Sequence, residues 1–244
     1  MLPKIFEFKT DEHKRQYLEA YAHTYLKEEI WAEHFVRDLD PFRNFLEVAA
    51  QANGTIINFS NIARDVGVDI KTVQKYFSIV VDTLLEFFLN AFQHSFRKRL
   101  SHSPKFYFFD TGVVRTLANQ LTLPVLEKTS RYGELFESFI LTQVITLSQY
   151  YHREFKFSYL KTKDDAEIDL VVERPGQKIL FIEIKSSDDV HASQLTMLAK
   201  LSRDFGECEA VCFSQDKYAK QLGDIMVYPW AAGINRYFGE FEKD

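Results

Sequence analysis

Apolar side chains recur with the period of an α-helix over residues 11–50. Residues 11–37 contain neither glycine nor proline, and their pattern predicts one long amphipathic helix or two shorter ones. A further helix is predicted from Asp40, with Pro41 in its first turn, where the missing N–H of proline costs nothing. The apolar faces consist of Tyr17, Leu18, Tyr21, Tyr25 and Ile30 in the first stretch and of Phe42, Phe45, Leu46 and Ala49 in the second. Residues 1–40 are therefore interpreted as a helical lead-in segment.

The next segment has the pattern of a helix-turn-helix. Ser60 is predicted to cap a short helix that ends at Val66, Gly67 supplies the turn, and Asp69 caps a second helix that starts at Ile70. The inward positions of the second helix are Val73, Phe77 and Val80. The positions expected to be exposed near its N-terminal end, where a recognition helix meets nucleic acid, are Lys71, Thr72, Gln74 and Lys75.

A basic loop follows, between two apolar segments. Residues 82–91 are largely apolar, residues 105–109 have the composition of a strand, and the loop between them carries Arg97, Lys98 and Arg99. This arrangement is typical of a wing, so residues 41–125 are interpreted as a winged helix-turn-helix domain. Such a domain either contacts DNA through its basic residues or docks a protein, and the sequence leaves both open. The chain from Asp110 to Pro124 is expected to be less regular.

A new pattern begins near Thr129 and defines a second domain, residues 126–244. Its predicted elements are, in order, a helix (133–149), three strands (155–161, 166–173 and 178–186), a helix (192–205) and two strands (209–214 and 225–228). Three strands followed by a helix and a strand are typical of an antiparallel meander that leads into a crossover. The fold class is therefore α/β, with a helical and winged-helix unit ahead of an αβββαβ domain.

Ionisable residues interrupt two of these apolar strands. Asp169 lies in the middle strand of the meander, and Glu183 and Lys185 share one face of the next strand. A three-residue turn, Pro175–Gln177, would place Asp169 directly opposite Glu183, whereas a two- or four-residue turn would separate them unless a bulge restored the register. Like charges that face each other across a strand pair are destabilising, so the pair requires a cation. Lys185 supplies part of this charge, and Mg²⁺ bound by both carboxylates and the carbonyl of Ile184 would supply the rest.

The order Asp169, then Glu183-Ile-Lys185, behind a helix that carries Glu137, resembles the PD-(D/E)XK nuclease superfamily. The resemblance implies a restriction-endonuclease-like fold and a Mg²⁺ site held by Asp169, Glu183 and Glu137. It further implies that Lys185 orients the attacking water and that the substrate is a DNA phosphodiester.

Three further positions bear on this resemblance. Ile168 stands where the motif usually has proline, at a position that varies widely in the superfamily. Glu137 is preferred to Glu134 because it lies one and two turns before Ile140 and Val144, nearer the buried face. Gln194, at the start of the following helix, resembles a substrate-side polar residue of some branches.

A wider resemblance runs from about Tyr17 to the end of the chain. The segments Asp110-Thr-Gly-Val-Val, Gly133-Glu-Leu-Phe-Glu-Ser-Phe-Ile and Glu183-Ile-Lys-Ser-Ser resemble the C-terminal domain of unknown function that follows prokaryotic AAA-type ATPases, in which a winged helix precedes a nuclease-like domain. This implies an AAA-type ATPase as a partner, either lost or encoded separately, or self-association through the same surface. The sequence has no Gly-x-x-x-x-Gly-Lys-[Ser/Thr] motif, so no ATPase activity is expected from this chain.

Composition restricts the partners and the compartment. The net charge of −5 and the pI of about 5.8 are unusual for a dedicated DNA-binding protein, so any DNA contact requires a local basic patch. Cys208 and Cys212 are expected to be reduced and packed on one face of a strand. Because the first residues lack the apolar core of a signal peptide and no apolar run reaches about 18 residues, we expect a cytoplasmic protein without a membrane partner.

Two functions from different classes follow. The first is a Mg²⁺-dependent DNA phosphodiesterase that the winged helix positions on its substrate. The second is a non-catalytic DNA- or protein-binding module, a remnant or partner of an AAA-type ATPase, in which Asp169, Glu183 and Lys185 form a structural ion network.

Overall fold

The computed structural model describes residues 2–25, 39–83, 86–92, 103–163 and 165–240. Contacts divide the chain into two compact units. The first consists of residues 1–88 and 103–125, and the second of residues 89–102 and 126–244. Both helices and strands are present, so the protein belongs to the mixed α/β class.

The first unit is mainly helical. A 3₁₀ turn (Pro3–Glu7) leads into α1 (Asp11–Ala20) and a π-helical turn (Tyr21–Tyr25). The later elements of the first unit are α2 (Leu39–Gln51), α3 (Phe59–Val66), α4 (Ile70–Asp82), the first half of β1 (Glu86–Ala91), β2 (Lys105–Phe108) and α5 (Thr111–Leu117). The part of the predicted lead-in helix beyond Tyr25, residues 26–37, lies outside the described residues.

The core of the first unit is built from aromatic rings. The ring of Phe77 on α4 packs edge-on against Phe45 of α2, with centroids 4.8 Å apart, and against Phe106 of β2 at 4.9 Å. The predicted inward faces of α2 and α4 are confirmed, because Phe42, Phe45, Leu46 and Ala49 and Val73, Phe77 and Val80 are all buried. Full burial of a phenylalanine, leucine or valine side chain contributes about 1.5–3 kcal/mol to stability by removing apolar surface from water.

Helices α3 and α4, which form the predicted helix-turn-helix segment, have the predicted turn but a different first cap. Gly67 ends α3 with a φ of 78°, and the Asp69 side chain accepts a hydrogen bond from the Thr72 N–H and caps α4, as expected. The prediction that Ser60 caps α3 is wrong. Asn58 has the extended backbone of a cap, and its side chain accepts from the Asn61 N–H at 3.1 Å, so Ser60 lies inside the first turn.

The segment after β2 is a helix rather than the irregular chain that the sequence suggested. Asp110 starts α5, because its Oδ1 accepts hydrogen bonds from the N–H groups of Gly112 (2.8 Å) and Val113 (3.0 Å). Its Oδ2 accepts from the Leu2 N–H at 2.9 Å, which ties the start of the chain to this helix. A Cβ on Gly112 would lie 2.9 Å from a methyl group of Leu18 and from Oδ1 of Asp110, so a larger residue here would require these side chains to shift.

The second unit is a sheet with helices packed against it. Its elements after the end of β1 are α6 (Ser130–Tyr150), β3 (Lys156–Lys161), β4 (Glu167–Glu173), β5 (Ile179–Lys185), a 3₁₀ turn (Ala192–Leu195), α7 (Thr196–Phe205), β6 (Cys208–Ser214), β7 (Lys220–Leu222), β8 (Ile225–Pro229) and α8 (Trp230–Phe238). The predicted helix–strand order is confirmed up to β6. The sequence interpretation missed β7, which has three residues, and α8, which follows β8 directly and has no side-chain cap.

The strand order in this unit is β1-β3-β4-β5-β6-β8-β7. Strands β3, β4 and β5 are antiparallel neighbours, and β5 pairs in parallel with β6, so the predicted meander and crossover are confirmed. The ring of Phe205 on α7 packs against Phe181 at 5.1 Å on one face of the sheet. On the other face Gly233 of α8 approaches the ring of Phe213 so closely that a Cβ would lie 2.4 Å from it. Because side chains alternate along β5, Glu183 and Lys185 share the face of Phe181.

None of the helices in the described parts of the chain has the length and apolar character needed to cross a membrane.

Candidate active site

The register between β4 and β5 places the two predicted carboxylates side by side. Val171 lies opposite Phe181 and Leu170 opposite Ile182. Continued by one residue, this register would set Asp169 opposite Glu183, and the hydrogen bond from the Ile184 N–H to Asp169 agrees with it. The predicted three-residue turn is therefore confirmed.

Beyond Leu170, a hydrogen bond to a side chain replaces a backbone hydrogen bond between β4 and β5. The Ile184 N–H donates to Oδ2 of Asp169 at 2.7 Å, where a regular ladder would offer a backbone carbonyl of β4. The N–H and C=O of one residue in a strand point to the same neighbouring strand, so the Ile184 carbonyl also faces the side of Asp169. The site thus combines two carboxylates and a backbone carbonyl.

Glu183 is a largely buried carboxylate of which only one oxygen has a partner among the described residues. The Lys185 ammonium lies 2.6 Å from Oε1 of Glu183, and the two side chains are 31% and 12% exposed, respectively. Oε2 of Glu183 is buried and has no hydrogen-bond partner among the described residues. An unpaired buried oxygen of a carboxylate is costly, so this atom marks a place where a ligand with positive charge would be stabilised.

The electrostatics of the site are dominated by surplus negative charge. Burial raises the pKa of Asp169 well above its usual range, and the neighbouring carboxylates of Glu183 and Glu137 raise it further. Burial also raises the pKa of Glu183, although Lys185 opposes this. Burial alone would lower the pKa of the Lys185 ammonium, but the Glu183 carboxylate more than offsets it and the pKa is raised. One ammonium therefore does not balance the carboxylates around it.

Glu137 joins this electrostatic site from helix α6. The helix starts at the predicted place, because the Thr129 side chain accepts a hydrogen bond from the Tyr132 N–H. Glu137 is half-buried on the side of α6 that faces the site and raises the pKa of both Asp169 and Glu183. Glu134 is exposed and pairs with Arg131 at 3.3 Å.

Cys212 is a neighbour of the site that the sequence interpretation missed. The parallel pairing of β5 with β6 sets Cys212 beside Glu183 and Ser214 beside Lys185. Burial raises the pKa of the Cys212 thiol strongly, and Glu183 raises it further, so the thiol is protonated and packs as an apolar group. Both Cys208 and Cys212 are free, as expected. No local signal identifies Cys212 as a neighbour, because the pairing partner of β6 is set by the crossover.

The weaker site candidate, Gln194, has a structural role. Its side-chain oxygen accepts a hydrogen bond from the His191 N–H at 2.8 Å and so caps the 3₁₀ turn that precedes α7. Among the described residues, no three His, Cys, Asp or Glu side chains are arranged to hold a metal ion by themselves.

The predicted nucleic-acid-binding residues fall into three groups. Lys71, Gln74 and Lys75 are exposed on α4. Thr72 is half-buried, and its hydroxyl donates to Oδ2 of Asp69 at 2.6 Å, so it serves the cap. The three basic residues of the predicted wing, Arg97, Lys98 and Arg99, lie outside the described residues.

Residues 1–123 match the model of a family described as a domain of unknown function, DUF8612. The chain belongs to this family. Residues 132–232, which include Glu137, Asp169, Glu183 and Lys185, match a second domain of unknown function, DUF4143, which is found in proteins associated with AAA-type ATPases.

Two curated mycobacterial proteins are similar to this DUF8612 member. They are uncharacterized proteins of Mycobacterium bovis and Mycobacterium tuberculosis, each 28% identical over 203 residues. The match covers 82% of this chain but only 45% of each relative. No solved structure gives a significant match.

Proposed function

We propose that the second unit is a Mg²⁺-dependent phosphodiesterase that cleaves nucleic acid, with a restriction-endonuclease-like arrangement of β4, β5 and α6. The observation that carries this proposal is the buried Oε2 of Glu183, which has no hydrogen-bond partner among the described residues and belongs to a carboxyl group that raises the pKa of Asp169. Two such groups are stable together only with a proton or a cation between them. A divalent cation would both neutralise the two carboxylates and enable phosphodiester hydrolysis.

The donor set suits Mg²⁺ better than a softer metal. Mg²⁺ takes oxygen ligands and is commonly held by one or two carboxylates together with waters and substrate phosphates, so a closed cage of three protein ligands is not required. Asp169, Glu183 and the Ile184 carbonyl would hold the ion. Glu137 would occupy a further position in the coordination sphere of the Mg²⁺ ion. When bound, such an ion polarises a phosphoryl oxygen and lowers the pKa of water.

Lys185 supplies the positive charge that the reaction needs next to these carboxylates. Its ammonium is held by Oε1 of Glu183 and is 31% exposed, so it is both oriented and accessible. From this position it would orient the attacking water and stabilise the negative charge that develops on the phosphoryl group.

Isothermal titration calorimetry with Mg²⁺, and with Mn²⁺ as a second probe, tests the site. The wild-type chain is expected to release or absorb heat in a saturable titration, and the Asp169→Ala, Glu183→Ala double variant to give only the heat of dilution. A Glu134→Ala variant, which removes an exposed carboxylate from α6, is the matched control and should titrate like wild type. Identical saturable heats in wild type and double variant would remove the metal site.

A non-catalytic interaction module is the second candidate. The short Glu183–Lys185 ion pair and the hydrogen bond from Ile184 to Asp169 would serve equally in a structural ion network. The association of DUF4143 with AAA-type ATPases supports an ATPase as the partner in that case. The calorimetry separates the two candidates, because only the first requires a bound divalent cation.

We further propose that the helix-turn-helix, as part of a winged helix, contacts DNA through α4. Lys71, Gln74 and Lys75 are exposed together near its N-terminal end, with the Asp69 cap holding the first turn. Two lysines on one helical turn form the local basic patch that a chain with a net charge of −5 needs for phosphate contacts.

The Lys71→Glu, Lys75→Glu variant is expected to bind duplex DNA more weakly and to show a flatter dependence of log K on log salt. Loss of two phosphate contacts should reduce the slope by about 1.8, since each contributes about 0.9. Fluorescence anisotropy over a salt series measures both quantities. The Lys4→Glu, Lys9→Glu variant changes the charge of the same unit equally at two other exposed lysines. If both variants lose affinity to the same extent, α4 has no specific role.

A further inference from the structure

The loops that follow β5 and β6 form a cross-linked rim beside the candidate active site. Because Lys185 lies next to Ser214 in the parallel pair, both loops leave the sheet at the same edge, the carboxyl end where α/β proteins bind ligands. The Gln215 N–H donates to the Ser187 carbonyl at 3.0 Å, and the Gln215 side-chain amide donates to the Ser186 carbonyl at 2.8 Å.

The buried side chain of Asp216 fixes the loop that follows β6. Its side chain is buried, and its Oδ2 accepts hydrogen bonds from the Val190 N–H at 3.1 Å and from the Ser214 hydroxyl at 2.8 Å. The Lys220 ammonium closes the far end of the loop by pairing with Asp216 at 2.5 Å and with Asp189 at 2.8 Å. Residues 215–220 are therefore held at both ends in one conformation.

Tyr218 lies at the outermost part of this fixed loop. It is 80% exposed, more than any other large apolar or aromatic side chain among the described residues, and Lys217 next to it is exposed as well. Since four residues span at most about 14 Å, the backbone of Tyr218 lies within that distance of Ser214, the residue that pairs with Lys185.

The charge of the site makes an aromatic contact valuable for a nucleic-acid substrate. Asp169, Glu183 and Glu137 repel phosphate, and the chain as a whole carries a net charge of −5, so counterion release contributes little at this edge. Base–aromatic stacking does not depend on charge and contributes substantial affinity per base. It requires a base with a free face, which the interior of a duplex does not offer.

We propose that Tyr218 is a stacking platform for an unpaired base, and that the substrate is therefore a single strand or an unpaired segment of nucleic acid. Lys217 provides an adjacent contact for the phosphate backbone. This proposal rests on the proposed function, because the strand that Tyr218 holds is the one whose phosphodiester reaches Lys185.

Fluorescence anisotropy with a labelled oligothymidylate, in EDTA, tests the platform without metal chemistry. Tyr218→Ala is expected to weaken binding of the single strand by about 5- to 150-fold. Tyr218→Phe keeps the ring and should stay within about twofold of wild type, in line with a contact made by the aromatic face. Tyr150→Ala is the matched control. It removes a tyrosine that is 72% exposed and is the last residue of α6, whereas Glu137 of the candidate site lies in the N-terminal half of that helix.

Two results would overturn the proposal. One is equal affinity of Tyr218→Ala and wild type for the single strand, and the other is an equal loss in Tyr150→Ala. Failure here is distinguishable from failure of the proposed function. If calorimetry detects metal binding but Tyr218→Ala binds the single strand normally, only the stacking platform is rejected. If Tyr218→Ala loses affinity and no metal binds, only the proposed catalysis is rejected.

Discussion

Replacing Lys185 with methionine is expected to lower the rate of Mg²⁺-dependent cleavage by about 10²- to 10³-fold, the usual effect of removing one group that stabilises charge in the transition state. Methionine keeps most of the length and apolar volume of the side chain and removes only the ammonium. Because Asp169, Glu183 and the Ile184 carbonyl remain, Mg²⁺ binding should persist. The rate is measured as single-turnover cleavage of labelled single-stranded and duplex DNA.

The control for this variant is Lys161→Met at the end of β3. Lys161 is 36% exposed and pairs with Asp165 at 3.3 Å, so it matches Lys185 in exposure and in having an acidic partner. Circular dichroism in the presence of Mg²⁺ checks that both variants fold. Unchanged cleavage in Lys185→Met, with Lys161→Met also unchanged, would exclude Lys185 from the reaction. Wild-type protein without cleavage under any of these conditions would favour the interaction module.

The second large effect is expected at Glu86, in the first unit. Both carboxyl oxygens of Glu86 are buried, and neither has a hydrogen-bond partner among the described residues. Burial raises the pKa of Glu86 to about 10, so the folded protein keeps this carboxyl neutral at pH 7. In the unfolded chain the same group ionises near 4.5. The unfolded state therefore binds fewer protons than the folded state between these two values.

The sign of the resulting pH dependence follows from this difference. The contribution of Glu86 to stability is fully present below about pH 4.5 and is lost as the pH rises towards 10. One proton corresponds to about 1.4 kcal/mol per pH unit, so the free energy of unfolding should fall by about 3 kcal/mol between pH 6 and pH 8 through Glu86 alone. Glu86→Gln should abolish this part of the slope.

Urea unfolding of wild type and Glu86→Gln at several pH values, followed by circular dichroism, measures the difference in slope. Glu19→Gln, at an exposed position of α1 in the same unit, is the control and should keep the wild-type slope. If Glu86→Gln and wild type lose stability in parallel as the pH rises, Glu86 is ionised in the folded protein and must have a partner.

The predicted pH effect at Glu86 and the proposed metal binding at Glu183 arise from the same physical situation, a carboxyl group removed from water. They differ in their surroundings. Among the described residues, Glu86 has no ionisable neighbour that shifts its pKa, so a proton neutralises it. Glu183 lies beside Asp169 and Lys185, where a divalent cation can take over from protons. This difference is why we place the candidate chemistry at Glu183.

The sequence by itself determined the elements whose signals are local. The apolar face of α2, the glycine turn and Asp69 cap of the helix-turn-helix, and the β4–β5 hairpin each depend on residues within a few positions of one another. The three-residue turn after Arg174 fixed the register, and the register set Asp169 opposite Glu183. Local signals gave the wrong N-cap for α3, because Asn58 and Ser60 are both residues that cap helices and lie two positions apart.

Only the tertiary structure decided what surrounds these carboxylates. The parallel pairing that brings Cys212 to Glu183 depends on a crossover, and so does the linkage of the two rim loops that leaves Tyr218 exposed. Burial raises the pKa of Asp169 and Glu86 because packed elements distant in sequence exclude water from them. Spacing along the chain carries no record of that exclusion, because desolvation is a property of the assembled core.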